Sequence, residues 1–122
     1  MRELGFSVMW DKLNQPELTT FRLPRRDRDW RIGERVRCMF RPRSSLRRYL
    51  FIADIINVES RCFDPAIAPA ITDSEAKGDG FDDAVAMQTW MAKAHKGFNP
   101  SHVFNKITLR KVTDTMAFEG PL

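Results

Sequence analysis

The chain has 122 residues, one domain's length, with 43% apolar and 30% charged residues, enough to bury a core without disulfides or metals. This excludes a wholly disordered chain, a collagen-like fibre and a disulfide-stapled miniprotein, and no apolar run approaches bilayer length. Twenty basic residues against sixteen acidic give a net charge of +4, but the local charge is sharper. Between Arg22 and Arg48 eleven arginines face only Asp27, Asp29 and Glu34, a local +8, and between Asp54 and Asp83 eight acids face only Arg61 and Lys77, a local −6. Such polarity suits a basic face for a polyanion, and arginine binds phosphate bidentately where lysine does not. The alternative for the arginines is a solvated face of exposed ion pairs.

The N-terminal Met1–Ser7 segment lacks an apolar signal core, so the expectation is a cytoplasmic protein with Cys38 and Cys62 reduced. Residues 6–15 carry Trp10 and Leu13 at helical spacing and read as a short helix or turn limited by Pro16. Thr19 to Leu23 is β-prone and ends at Pro24; residues 25–31 form a charged loop around Trp30. Glu34 to Arg41 alternates, with Val36, Cys38 and Phe40 on one face and Arg35, Arg37 and Arg41 on the other beside Met39. Tyr49 to Val58 is apolar on both faces, a buried central strand, and the two segments form a hairpin with a basic outer face and tip.

Thr72-Asp73-Ser74-Glu75 is a capping box starting a short helix that Gly78-Asp79-Gly80 breaks. A second helix over 82–96 has the apolar stripe Met87, Trp90, Met91 and Ala94, with Gly97 as its C-cap. Residues 105–112 form a last strand, and a loose tail follows over 113–122. One α+β domain, 1–122, is expected, a small β-barrel with short helices covering one opening.

Three segments carry a family resemblance: Thr19-Thr20-Phe21-Arg22, Trp30-Arg31-Ile32-Gly33-Glu34-Arg35-Val36, and the stretch from Ile71 to Phe81 containing Glu75-Ala76 and Asp79-Gly80-Phe81. Over residues 17–112 the chain resembles the ASCH domains of the PUA-like superfamily of small β-barrels. The resemblance implies a PUA-like barrel with an RNA, or one extruded base, held in a cleft between barrel and helices. Some small ASCH proteins deacylate acetylated cytidine with a lysine and a threonine of the N-terminal motif and a carboxylate of the helical segment. Here the threonine falls on Thr20, the arginine on Arg22 and the carboxylate on Asp79, while Glu17 occupies the lysine position.

The expectations are therefore specific. Thr20, Arg22 and Asp79 form a ligand pocket in which Arg22 and Asp79 read the polar edge of a base, or else Arg22 and Asp79 form a structural ion pair. Arg25, Arg26 and Arg28 with Trp30, then Arg35, Arg37, Arg41, Arg43, Arg47 and Arg48, are the nucleic-acid-binding candidates; for Trp30, plugging the end of the barrel is the favoured alternative. The leading function is a module binding RNA or single-stranded nucleic acid and reading a modified or splayed base in a cleft; the alternative is a small amidohydrolase or ribonuclease acting on modified nucleosides or RNA, in which Thr20 and Asp79 are catalytic. A protein-interaction adaptor is a third reading. His95 and His102 are isolated, so no metal is expected; no cofactor is expected, and the lack of a long apolar run makes no membrane partner the expectation.

Overall fold

In a computed structural model, described for residues 1–112, five strands form one sheet in the order β1-β3-β4-β5-β2. The expected tail over 113–122 lies outside the described residues. The strands are β1 (Arg2–Phe6), β2 (Glu17–Arg22), β3 (Arg35–Phe40), β4 (Arg48–Arg61) and β5 (Phe104–Lys111), and the helices are α1 (Asp73–Gly78) and α2 (Ala84–Ala94). All pairings are antiparallel except β1 with β3, which run parallel from Arg2↔Val36 to Phe6↔Phe40.

The α+β class is found, but the sheet is not closed. β1 and β2 are its two edges, which corrects the expectation of a barrel. The sheet nevertheless curls until side chains of its edges meet: the Arg22 guanidinium of β2 lies 4.8 Å from the centre of the Phe6 ring of β1. Inside the curl, Leu4, Phe6, Leu13, Leu18, Val36, Cys38, Phe51, Ile55, Ile107 and Leu109 form one core with Trp30. A second core packs Met87 and Met91 of α2 and Ala76 of α1 against Phe21 and Phe104. The end of β2 is therefore covered on both faces, so Thr20 and Phe21 are both buried although they point opposite ways.

The residues account for these elements. In β3 the expected alternation holds through Cys38; there the register with β4 shifts past Leu50, so that the adjacent Leu50 and Phe51 both belong to the core, and Met39 is buried as well. Thr72 and Glu75 make the reciprocal capping box of α1, and Asp83 caps α2 by accepting from the Ala86 N–H. A four-charge network ties α1 to the sheet: the Glu75 carboxylate accepts from Arg61 at 3.0 Å and sits 2.7 Å from Lys106 Nζ, and Glu59 flanks both cations. Burial disfavours the Glu75 carboxylate, but Lys106, the Thr72 N–H and Arg61 outweigh it and pull its pKa down to about 2.

The short helix or turn expected over 6–15 is a single 3-10 turn, Asp11–Asn14, and Phe6 belongs to β1. Lys111 Nζ pins that turn by donating to the Leu13 carbonyl at 2.5 Å.

Candidate ligand-binding site

Where the edges of the sheet approach each other under α2, they leave a cavity of about 290 Å³. Its closed end is polar, because Lys12, Thr20 and Asp79 are each less than 10% exposed. Its walls include Phe6, Trp10, Phe81, Trp90, Phe98 and Phe104, and its rim carries the exposed His95, Lys96 and His102.

Each polar group is placed by local structure. Thr20 and Arg22 are two residues apart on β2 and so share a face, and Arg22 Nε donates to Thr20 Oγ1 at 3.0 Å. Asp79 follows the last turn of α1, and its backbone N–H is held by the carbonyls of Glu75 and Ala76. Gly80 continues the chain at φ +106°, with its Cα against the Trp10 ring: a Cβ there would stand 3.0 Å from Trp10 Cε3. Trp10 in turn lies 5.2 Å from Phe81 and 5.5 Å from Trp90 between ring centres, so the Gly-Asp-Gly turn and the aromatic wall are one packed unit.

The expected Arg22–Asp79 ion pair is not formed. Asp79 Oδ1 instead accepts from Lys12 Nζ at 2.5 Å, and Lys12 also donates to the Thr19 carbonyl at 2.9 Å. Burial pushes Lys12 down and Asp79 up, each against the attraction of the other. Burial also pushes the Arg22 guanidinium down from its ordinary value. The site is thus a buried ion pair beside a hydroxyl, with a guanidinium stacked on Phe6.

Thr20, Arg22 and Asp79 are brought together as the sequence suggested. Lys12 and the aromatic walls were missed. Glu17 pairs with Arg110 at 3.3 Å on an exposed face, while the cation beside Asp79 comes from the 3-10 turn. No spacing in Trp10-Asp11-Lys12-Leu13 separates this buried lysine from a solvated one.

The eleven arginines are not one surface. Trp30 packs in the core at 7% exposure, with the Arg2 guanidinium 4.2 Å and that of Arg25 5.7 Å from its ring centre, and it also lines the groove that Arg2 and Arg25 border. Arg35 and Arg37 project from the face of β3 opposite the buried Val36 and Cys38, and Arg35 pairs with Asp54 at 2.8 Å. Arg25 pairs with Asp27 at 3.2 Å, Arg28 lies 4.0 Å from Glu34, and Arg47 lies 3.3 Å from Glu3. Arg26, Arg31, Arg41, Arg43 and Arg48 are exposed and have no carboxylate partner among the described residues. A second, more open groove, of about 590 Å³, adjoins the cavity and gathers Arg2, Arg22, Arg25 and Arg43.

No family model, curated protein or solved structure matches the chain. Among the described residues no group of three or more His, Cys, Asp or Glu could hold a metal ion, and no helix is long and apolar enough to cross a membrane.

Proposed function

We propose that the protein is a nucleic-acid-binding module that takes one splayed base of an RNA or other single strand into the cavity between β1, β2 and α2. One observation carries this reading: a cavity of about 290 Å³ has aromatic walls and a closed end formed by Lys12, Thr20 and Asp79. That volume lies at the small end of ligand pockets, about 300–1,000 Å³, and suits a single flat heterocycle. A base needs stacking surface, worth about 1–3 kcal/mol, together with donors and acceptors for its edge. Arg22 supplies donors, Asp79 has an oxygen beyond the one that binds Lys12, and Thr20 supplies a hydroxyl.

Fluorescence anisotropy with labelled single-stranded RNA tests the reading. Binding is expected to weaken with salt by roughly 0.7 log units per log salt for each phosphate contacted, and Thr20→Val or Trp10→Leu is expected to weaken it. Absence of binding at low salt, or affinity indifferent to both substitutions, refutes it.

The Lys12–Asp79 pair favours a second reading, hydrolysis of an N-acylated base. In that chemistry Thr20 Oγ attacks the amide carbonyl and loses its proton, the protonated base amine leaves, and water releases the acyl group from Thr20. Lys12 would balance the negative charge on the carbonyl oxygen. Release of acetate from acetylated cytidine, lost in Thr20→Val, would favour this reading over simple binding.

A further inference from the structure

We propose that the groove beyond Arg22 is a phosphate site, so that the ligand is a nucleotide whose base fills the cavity and whose phosphate crosses to the other side of Arg22. This rests on the base-binding reading above. The cavity and the groove share Gly5, Arg22 and Leu23, so Arg22 is a wall common to both. A guanidinium carries five N–H donors, and the one side-chain hydrogen bond of Arg22 among the described residues is that from Nε to Thr20. Its remaining donors serve both compartments.

The other groove cations differ in how they are held. Arg2 is fixed, with two N–H groups on the Glu34 carboxylate at 2.6 and 2.7 Å and its plane 4.2 Å from the Trp30 ring centre. Arg43 is exposed and has no carboxylate partner among the described residues. Arg25 lies 5.7 Å from the Trp30 ring centre and has the exposed Asp27 as its carboxylate partner at 3.2 Å, a kind of pair that is weak and readily exchanged. Glu3, the one carboxylate lining the groove, is engaged by Arg47 at 3.3 Å. The groove therefore presents guanidinium forks of the geometry that phosphate takes up, next to the space for a base. The opposite rim of the cavity offers Lys96 with His95 and His102 and no arginine.

The test compares three probes by calorimetry: a ribonucleoside, its monophosphate and inorganic phosphate. The monophosphate is expected to bind the wild-type protein about tenfold tighter than the nucleoside, since a hydrogen bond to a charged group contributes about 1.5 kcal/mol or more. Arg43→Gln and Arg25→Gln, both at exposed positions, should erase that gain and leave nucleoside affinity unchanged. Lys96→Gln should leave the gain intact, and the distant Lys93→Gln should alter neither affinity. Inorganic phosphate should compete with the monophosphate and not with the nucleoside. Equal affinity for nucleoside and monophosphate overturns the phosphate site and leaves the base pocket standing. Loss of the gain in Lys96→Gln alone overturns it too, by moving the phosphate to the other rim. If neither nucleoside nor nucleotide binds, the base reading fails and the phosphate site with it.

Discussion

Breaking the Lys12–Asp79 pair from one side and then from both separates its structural role from its ligand role. At 2.5 Å two unit charges attract by about 6–7 kcal/mol at an effective dielectric constant of about 20. Taking both ions out of water costs several kcal/mol each, so the intact pair comes close to break-even. Removing one partner leaves the other charge buried and unpaired, and Lys12→Met or Asp79→Leu should each cost about 3–5 kcal/mol. Against a total of about 6–18 kcal/mol for a chain this long, urea denaturation detects such a loss easily. At a slope of about 1.5 kcal/mol per molar, the midpoint falls by about 2–3 M. The double variant should recover most of the loss, because two apolar side chains carry no desolvation debt; about 1 kcal/mol remains for the Thr19 carbonyl that Lys12 no longer caps. The folded double variant should still fail to bind the base. If each single variant costs under about 1 kcal/mol, or if the double variant loses as much as the two singles together, the reasoning about the pair is wrong.

Glu75 should make stability sensitive to acid. Its pKa is lowered from 4.5 to about 2, so its carboxylate stabilises the fold above the unfolded value, and that contribution disappears as pH falls from about 4.5 through about 2. After allowance for solvent screening, Glu75→Gln should cost about 1–2 kcal/mol at pH 7 and little near pH 2, which thermal melts across that range would show; a pH-independent cost would refute the assignment. Gly80→Ala should destabilise by about 2 kcal/mol or more, since φ +106° strains any side chain and the new methyl meets the Trp10 ring at 3.0 Å; a neutral result in denaturant unfolding would contradict this. Cys38 is fully buried and its thiol is pushed up to about 12 by burial. It should resist a thiol reagent at pH 8 until the protein opens, and prompt labelling of the native protein would refute the placement.

The elements legible in the sequence are those whose signals are local. Thr72 and Glu75 announce α1 through bonds within four residues, and the alternation of Val36 and Cys38 announces β3. β1 carries a weaker form of the same signal, Leu4 and Phe6 inward with Gly5 between, and its partner β3 lies far along the chain. Thr20 and Arg22 were readable as neighbours because a strand repeats every two residues. That Asp79 would choose Lys12 over Arg22 was not, since the choice depends on the seating of the 3-10 turn by the Lys111–Leu13 contact. The arginines were countable, but their division between a groove and an outer face follows from strand pairing.

The parallel pairing of β1 with β3 has a kinetic consequence. Arg2 must find Val36 more than thirty residues away, whereas β3 and β4 meet across a short turn. Closing the longer loop costs more chain entropy and yields only a single ladder on one side of β1. The same reasoning applies to the other edge, where Glu17 pairs with Arg110 still farther along the chain, so both edge strands, β1 and β2, should dock late. Because Phe6 belongs to β1 and Arg22 to β2, the hollow between them is completed only when both edges have docked, and hydrogen exchange should find the edge strands among the first segments to open.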